Sequence, residues 1–316
     1  MNRKRFIKIC ALGGISAEIL AKNALIQPSK ALKPIYWEGY LLGSKGQLSL
    51  FSNQPRKAQK TLKAVFKEVQ RLEAKFSLYL NDSEINRLNR EKVLLNPCED
   101  WLKLCALSSE AHTRTQGYFD PTIQSIWSLQ NRQTRAHSAT DEQAENLKLE
   151  ASIGWEKVSF SKSAIRIDNP KAEVSFNGIA QGYITDRITD LLKNEGFENA
   201  LVELGETRAL GNHPENRPFR IGIQKPDSPI IYRTAELHNN AIATSSTYGS
   251  YLNQAKGQGH IIDPRSGRSY EVNKTLSVLH SSAAVADALS TGLIFFKKEA
   301  LKRFEIKYND LKIINA

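Results

Sequence analysis

Apolar and polar residues alternate with two different spacings along this chain, one typical of strands and one typical of helices. Tyr36–Phe51 alternates in the manner of strands and is interrupted at Gly43 and Gly46, which predicts two strands joined by a turn. Over Pro55–Phe76, apolar residues recur every three or four positions, with lysines and glutamates on the opposite side. This spacing predicts a long helix that packs one face on a core.

The same two patterns continue towards the end of the chain. Further helices are predicted at Ser83–Asn89, Asp100–Arg114, Pro121–Leu129, Ile179–Asn194 and Ala283–Phe296. Strands are predicted at Trp155–Phe160, Ala164–Ile167, Glu173–Phe176, Ala200–Leu204, Phe219–Ile223, Thr234–Leu237, Ala241–Thr244 and Thr275–His280. Their order lacks the regular alternation of a doubly wound sheet, and no repeat or low-complexity linker divides the chain. We therefore predict one α+β domain of layered helix and sheet over residues 32–316.

The composition fits a folded domain and gives little support for a nucleic-acid partner. Of the 316 residues 41% are apolar, enough for a substantial core. The formal net charge is +11, but the first 31 residues hold six Lys or Arg against one Glu, which accounts for +5 and leaves about +6. Beyond that segment, no run of basic residues interleaved with aromatics appears.

The N-terminal segment has the features of a leader. Asn2–Lys8 resembles a twin-arginine export signal, with Arg3 and Lys4 at the positions of the arginine pair. Ile9–Ile26 is weakly apolar and contains charged residues, which argues against a permanent membrane span. Ser29–Ala31 suits cleavage after small residues. We predict an export signal over residues 1–31 and a periplasmic protein, membrane-associated if the leader is retained; an ordinary amphipathic N-terminal helix is the alternative.

The three cysteines do not suggest a redox or metal site. Cys10 lies within the predicted leader. Cys98 and Cys105 flank a predicted helix, where their Cα atoms would lie about 10.5 Å apart, beyond disulfide reach. We expect two free structural thiols.

One carboxylate stands within an apolar segment near the C-terminus. An ionised Asp287 must be paired, bound to a cation or placed at an edge, because burying it alone costs several kcal/mol. Thr291 follows four residues later, so its hydroxyl shares the same helical face. Carboxylate and hydroxyl oxygens are hard donors that suit Mg²⁺. The alternative is that Asp287 complements the helix N-terminus, which begins near Ser282.

Two further segments carry candidate chemistry. In Gly259–Gly267 a histidine precedes two apolar residues and a turn, so His260 is a candidate general base, with a hydrogen-bonded structural histidine as the alternative. In Ser175–Tyr183 a predicted strand passes through Gly178 into a helix, whose N-terminal amides favour a phosphate. That segment matches neither a Walker loop nor a dinucleotide fingerprint.

Taken in order, these segments resemble the ApbE family of FAD:protein FMN transferases over about residues 38–296. The signatures are Leu42–Ser44, Tyr79 with Asn81–Asn89, Gly117–Thr122, Asn177–Asp186, Leu204–Gly211, Ala243–Ser245, His260–Gly267 and Ala286–Thr291. One signature would be weak evidence, whereas eight in the right order are specific. The resemblance implies an ApbE-like α+β domain that moves FMN from FAD to a Thr or Ser of an acceptor flavoprotein, releases AMP and depends on Mg²⁺.

The resemblance also assigns roles to individual residues. The side chains of Asp287 and Thr291 and the carbonyl of Ala180 match the magnesium ligands, and His260 matches the base that deprotonates the acceptor hydroxyl. Positions that line the FAD cleft are Tyr79, Ser83, Asn89, Asp120, Gly178, Gln181, Gly205, Thr244 and Ser245.

This chain departs from the common family pattern at several positions. Ser175 and Gln181 stand where the family commonly has Asp and Lys, and Glu206 with Thr207 replaces the usual Gly-Asp. The combination resembles the branch associated with nitrous-oxide respiration, whose acceptor is a membrane flavoprotein.

The missing lysine removes a positive charge near the FAD pyrophosphate, for which Arg187, Arg208 or Arg265 would have to compensate. The departures leave two alternatives open. One is a FAD pyrophosphatase in which water replaces the acceptor, and the other is a non-catalytic FAD-binding assembly protein.

Overall fold

The computed structural model describes residues 32–128, 153–224, 230–247, 251–253, 258–269 and 274–315. The predicted export signal, Cys10 and the polar segment after residue 129 lie outside the described residues. Within those ranges, no helix combines the length and the apolar character needed to cross a membrane. Cys98 and Cys105 are both free thiols, as predicted.

Most of the helices begin and end close to their predicted positions. They are α1 (Pro55–Phe76), α2 (Glu84–Glu91), α3 (Glu99–Arg114), α4 (Ala180–Asn194), α5 (Ala283–Leu293) and α6 (Lys298–Lys307). Short 3₁₀ helices lie at Pro121–Ile123 and Trp155–Lys157. The segment predicted as the Pro121–Leu129 helix therefore begins with a tighter turn.

In the described ranges the strands form one large sheet and four small ones. They are β1 (Lys33–Leu41), β2 (Ser44–Ser52), β3 (Val93–Leu95), β4 (Val158–Phe160), β5 (Ala164–Ile167), β6 (Ala200–Leu204), β7 (Glu206–Leu210), β8 (Phe219–Gln224), β9 (Ile231–Leu237), β10 (Ala241–Ser246), β11 (Tyr251–Asn253), β12 (Gln258–Gly259), β13 (Ile262–Asp263), β14 (Arg268–Ser269), β15 (Thr275–His280) and β16 (Leu311–Asn315). The large sheet has the order β1-β2-β6-β7-β10-β15-β16.

The large sheet lies between a layer of helices and the β8–β9 hairpin. On one face, alternate residues of β2 and β6, such as Leu48 and Val202, belong to the same buried cluster as Val65 of α1 and Ile184 of α4. The opposite face contributes Leu201, Ala209 and Ile242 to a second cluster, which the inward residues Phe219, Ile221 and Ile223 of β8 complete. This arrangement confirms the predicted α+β class.

One predicted strand, Glu173–Phe176, is wrong. The segment is extended, but its backbone pairs with side chains rather than with a strand: Val174 N donates to Asn89 Oδ1 at 2.7 Å, and Asn89 Nδ2 donates to Val174 O at 2.9 Å. A distant asparagine thus replaces a strand partner. The strands β3, β7, β11, β14 and β16 and the helix α6 were not predicted, and α5 ends at Leu293 rather than at Phe296.

Candidate active site

Asp287 lies on the buried face of α5 and points at the neighbouring helix α4. It is 5% exposed, and its Oδ2 accepts a hydrogen bond of 3.0 Å from the backbone amide of Gly182 in the first turn of α4. The N-terminus of α5 is complemented by other groups, because Asp186 accepts from the amides of Ala283 and Ala284 at 2.8 and 3.0 Å. Asp287 therefore does not serve as the helix-capping acid.

The hydroxyl of Thr291 lies one turn further along α5, close to two other predicted site residues. Ser245 Oγ is 3.4 Å from Thr291 Oγ1 and 2.8 Å from Ser290 Oγ. A Cβ added to Gly178 would lie 3.1 Å from Thr291 Oγ1, so the loop before α4 approaches this hydroxyl closely. Gly178, Ser245 and Thr291 thus come together, although they are far apart in the sequence.

The helices α4 and α5 cross in direct backbone contact. A Cβ on Gly182 would lie 2.3 Å from the carbonyl oxygen of Ala283, which only a glycine tolerates. Ala180 is the first residue of α4 and is buried, so its backbone lies in the same first turn as the amide that binds Asp287. The first turn of α4 and the buried face of α5 therefore form the two sides of one small site.

The residues at this crossing fit a magnesium ion by the chemistry of their donors. A carboxylate (Asp287), a hydroxyl (Thr291) and the carbonyl of a first-turn residue are oxygen donors of the kind that Mg²⁺ binds, with water and substrate phosphates filling the other positions. Burial raises the pKa of Asp287 to about 7, so an ionised Asp287 needs a positive charge beside it. No group of three or more Cys, His, Asp or Glu suited to a metal occurs among the described residues.

A third predicted group meets at the N-terminal turn of α4. Gln181 Nε2 donates to Ser44 Oγ at 3.1 Å, which joins the Leu42–Ser44 turn to this helix. Gly205 has a φ of +90°, and a Cβ there would lie 2.5 Å from Gln181 Cδ. The conformation and the close approach both explain the glycine.

Other predicted cleft residues are engaged in the local structure of their loops. Ser83 caps α2 by accepting a hydrogen bond of 3.3 Å from Asn86 N. Asp120 accepts from Thr122 N at 2.8 Å through Oδ1 and from Trp155 N at 3.1 Å through Oδ2. Like Asn89, which binds the backbone of Val174, these residues stabilise the loops around the site through hydrogen bonds within the protein.

Tyr79 and Thr244 occupy two further positions. The side chain of Tyr79 is 46% exposed, just before α2. The hydroxyl of Thr244 lies 2.8 Å from Ser277 Oγ, whereas the hydroxyl of the adjacent Ser245 reaches α5. Because successive strand residues point to opposite faces, Ser245 faces the helices and Thr244 faces away.

The candidate base His260 lies in a half-buried position between β12 and β13. Its neighbour Ile261 packs against the buried cluster that contains Leu289 and Leu293 of α5. The turn after β13 is attached elsewhere by Arg265, which donates to Gln116 O at 2.7 Å and lies over the Tyr118 ring at 3.8 Å from its centroid. These contacts bring the His260 segment to the side of α5.

The arginines considered as substitutes for the missing lysine have other partners. Arg208 forms a salt bridge of 2.6 Å with Asp186, and Arg187 lies 3.7 Å from Glu68. Arg265 is engaged with Gln116 and Tyr118, as described above. The structure therefore does not assign a pyrophosphate-binding role to any of the three.

Sequence reasoning missed Glu206 as a site residue and treated it only as a departure from a pattern. It is buried in β7, and its Oε2 accepts from Thr244 N at 3.3 Å. Desolvation raises its pKa well above the ordinary value, and the negative charge of Asp287 raises it further. The available signal was an acidic residue directly after the Gly205 turn, between two apolar strands.

Comparisons with known proteins agree on one family. The model of a family described as the ApbE family matches residues 42–314. The FAD:protein FMN transferase of Haemophilus influenzae is 28% identical over 303 residues, which covers 89% of this chain and 86% of the relative. The FAD:protein FMN transferase of Vibrio cholerae is 28% identical over 281 residues, covering 85% and 84%.

Solved structures resemble the whole domain. The apo form of the Pseudomonas stutzeri flavinyl transferase ApbE has a TM-score of 0.75 at 25% identity and covers 92% of both chains. The ApbE protein of Thermotoga maritima has a TM-score of 0.78 at 22% identity, covering 90% of this chain and 94% of the other. The second likeness, at its lower identity, concerns the fold alone.

Proposed function

The chain belongs to the ApbE family, and from that premise we propose that it is a magnesium-dependent FAD:protein FMN transferase. The observation that carries the proposal is the buried crossing of α4 and α5, where Asp287 and Thr291 face the first turn of α4. Relatives named FAD:protein FMN transferase cover more than four fifths of this chain. A site of oxygen donors beside a helix N-terminus suits a phosphate-bearing substrate.

The proposed reaction transfers the FMN part of FAD to a hydroxyl. The oxygen of an acceptor Thr or Ser attacks the phosphorus nearer the riboflavin and forms a new phosphoester bond. The bond between that phosphorus and the bridging oxygen breaks, and AMP leaves with the bonding electron pair. His260 takes the proton of the attacking hydroxyl, a role for which imidazole is suited near neutral pH.

Asp287, Thr291 and the carbonyl of Ala180 would hold Mg²⁺. When bound, the cation would neutralise charge on the pyrophosphate, the main electrostatic need of phosphoryl-type transfer. Gly178 lies against Thr291 and Gly205 lies against Gln181, so both glycines allow the loops of the site to pack closely. Gln181 and Ser245 supply neutral polar groups beside them.

We also propose that the protein works in the periplasm on a membrane-bound acceptor. The twin-arginine-like pattern of Asn2–Lys8 supports export, and the Glu206-Thr207 pattern supports the branch associated with nitrous-oxide respiration. Detection of the protein in the periplasmic fraction, and its loss from that fraction when Arg3 and Lys4 are both replaced by Gln, would test the export signal.

The activity is tested with the purified mature chain, FAD, Mg²⁺ and an acceptor flavoprotein carrying a Ser/Thr-Gly-Ala-Thr segment. The expected result is a mass increase of one FMN on the acceptor, with one AMP released for each transfer. Asp287→Asn should abolish transfer, whereas the exposed Asp168→Asn should leave it unchanged.

Three results would contradict the proposal, provided that a known transferase is active in parallel. Release of free FMN without acceptor labelling would indicate a FAD pyrophosphatase. Tight FAD binding without AMP would indicate an assembly protein. Full transfer by the Asp287→Asn variant would remove the proposed metal site.

A further inference from the structure

Glu206 faces the helix layer, on the same side of the large sheet as the proposed metal site. Residues two apart in a strand share a face, so Glu206 and Arg208 point in the same direction. Arg208 reaches Asp186 of α4 in a salt bridge of 2.6 Å, which identifies that direction as the helix side. The carboxylate of Glu206 is therefore buried between β7 and the crossing of α4 and α5.

Two contacts locate this carboxylate on the side of β10 that faces α5. Glu206 Oε2 accepts from the amide of Thr244 at 3.3 Å, and the hydroxyl of the next residue, Ser245, lies 3.4 Å from Thr291 Oγ1. The backbone of Glu206 also contacts α4, because Thr185 Oγ1 donates to Glu206 O at 3.4 Å. Glu206 thus approaches the site from the sheet, opposite the first turn of α4.

The charges around the two buried carboxylates are not balanced by the protein. In the described part of the chain, neither Glu206 nor Asp287 forms a salt bridge. Arg208, two residues further along the same strand, is paired with Asp186 at 2.6 Å and lies 3.6 Å from Asp190. Two adjacent ionised carboxylates without a cation are strongly disfavoured in a buried site.

We propose that Glu206 supplies a second carboxylate to the divalent cation, opposite Asp287, and so completes the charge of the site. This inference rests on the proposed function, because it assigns a residue to the same metal. It also explains why an acidic residue is accommodated directly after Gly205: one cation balances both carboxylates, whereas Asp287 alone would leave a net positive charge.

The test compares Mn²⁺ binding by the metal-free mature protein and its Glu206→Gln variant, by the loss of the free Mn²⁺ resonance signal. Glutamine keeps the shape and removes the charge. We expect the Kd for Mn²⁺ to rise by about 10- to 100-fold, as is usual when a group supporting a metal is removed. Stabilisation against heat by Mn²⁺ should fall correspondingly.

An unchanged Kd would overturn the inference. Glutamine mimics a protonated glutamic acid, so equal binding would mean that Glu206 shares a proton with Asp287 and does not face the cation. Glu203→Gln is the matched control: it also removes a glutamate close to Gly205, in this case a half-buried one, and should not change Mn²⁺ binding. If Glu206→Gln does not unfold cooperatively, Glu206→Ala decides, because it removes the carboxylate without leaving a buried amide. A rise of about 10-fold or more in the Kd for Mn²⁺ supports the inference, and an unchanged Kd overturns it.

Failure of this inference is distinguishable from failure of the proposed function. If the wild-type protein binds Mn²⁺ and transfers FMN while Glu206→Gln does both equally well, only the role of Glu206 is wrong. If the wild-type protein neither binds Mn²⁺ nor transfers FMN, the proposed function itself is wrong.

Discussion

Gly182 lies against the backbone of Ala283, so closely that a Cβ on the glycine would be 2.3 Å from the alanine carbonyl oxygen. This contact sets the distance between α4 and α5. The proposed metal ligands lie on both helices, with Ala180 on α4 and Asp287 and Thr291 on α5. The spacing of the two helix backbones is therefore also the spacing of the ligands.

Gly182→Ala should push the two helices apart and abolish FMN transfer. A methyl group forced against a helix backbone usually costs about 1–3 kcal/mol, and here it also separates Asp287 from the amide of residue 182. Chemical denaturation and the transfer assay measure the two effects. Lys193→Ala, at an exposed position of the same helix, should change neither. Normal transfer by Gly182→Ala would show that the site tolerates wider helix spacing.

The main elements of the fold were predictable because their signals are local. The helix α1 and the helix that carries Asp287 and Thr291 were predicted from the spacing of neighbouring residues, and both segments are helical in the structure. The missing strand at Glu173–Phe176 depends on Asn89, whose contacts with Val174 span 85 positions. When a distant side chain takes the place of a partner strand, the local pattern of apolar and polar residues does not reveal it.

Which residues meet at the candidate site was only partly predictable, because these contacts also join residues that are distant in the sequence. Gln181 and Gly205 are far apart in the sequence, and their contact appears only when β6 and α4 pack together. The family resemblance selected both residues but not Glu206, whose position beside Asp287 depends on the sheet register. Asp186 likewise belongs to a segment that the resemblance identified. Its role at the N-terminus of α5 could not be predicted, because it depends on the crossing of α4 and α5.

Asp186→Asn should destabilise the start of α5 and weaken transfer. Asp186 accepts from the amides of Ala283 and Ala284 and pairs with Arg208, so its charge complements both the helix dipole and a cation. We expect a loss of about 1–2 kcal/mol in the free energy of unfolding. We also expect a higher Mg²⁺ concentration for half-maximal transfer, because α5 carries Asp287.

Asp190→Asn is the matched control for this prediction. Asp190 lies on the same helix, 3.6 Å from the same Arg208, but its side chain is 52% exposed. It should alter stability by less than about 0.5 kcal/mol, as most exposed ion pairs do. Equal effects of the two variants would show that Arg208 pairing, rather than the complement to α5, is the important role.

The Glu203 side chain should make the free energy of unfolding depend measurably on pH. Burial raises its pKa from the ordinary 4.5 to about 7. The folded state therefore holds this proton more tightly than the unfolded state, so the contribution is fully present below pH 4.5 and is lost as pH rises towards 7. Each pH unit of difference corresponds to about 1.4 kcal/mol, which sets an upper limit of about 3 kcal/mol.

Glu203→Gln should remove that loss, because glutamine does not ionise. The variant should be more stable than wild type at pH 8 by about 1–3 kcal/mol and close to it at pH 4.5. Urea unfolding at pH 4.5, 6 and 8 measures the difference. Glu236→Gln, at an exposed position of β9, should follow the wild-type curve. A parallel curve for Glu203→Gln would mean that Glu203 is ionised in the folded protein at neutral pH.

Arg265→Ala should slow FMN transfer without changing metal binding. The guanidinium joins the turn after β13 to Tyr118, and the Tyr118 ring stacks on Phe295 with 5.2 Å between centroids. Through Tyr118, Arg265 thus holds the segment that contains His260 close to the C-terminal end of α5. The variant loses this cation–π contact and the hydrogen bonds from Arg265 to Gln116 O (2.7 Å) and to the Tyr118 hydroxyl (3.1 Å). At an exposed site this corresponds to about 1–2 kcal/mol, or roughly a 5- to 30-fold lower rate.

The comparison with Arg268→Ala separates positioning from general charge. Arg268 is exposed on β14 of the same small hairpin, so its removal changes the net charge equally but leaves the Tyr118 contact intact. Single-turnover transfer rates and Mn²⁺ binding should be measured for both variants. A slower rate for Arg265→Ala alone, with unchanged Mn²⁺ binding, would place the effect at the proton-accepting side of the site. Equal slowing by both variants would instead indicate electrostatic attraction of FAD, because only the charge is common to them.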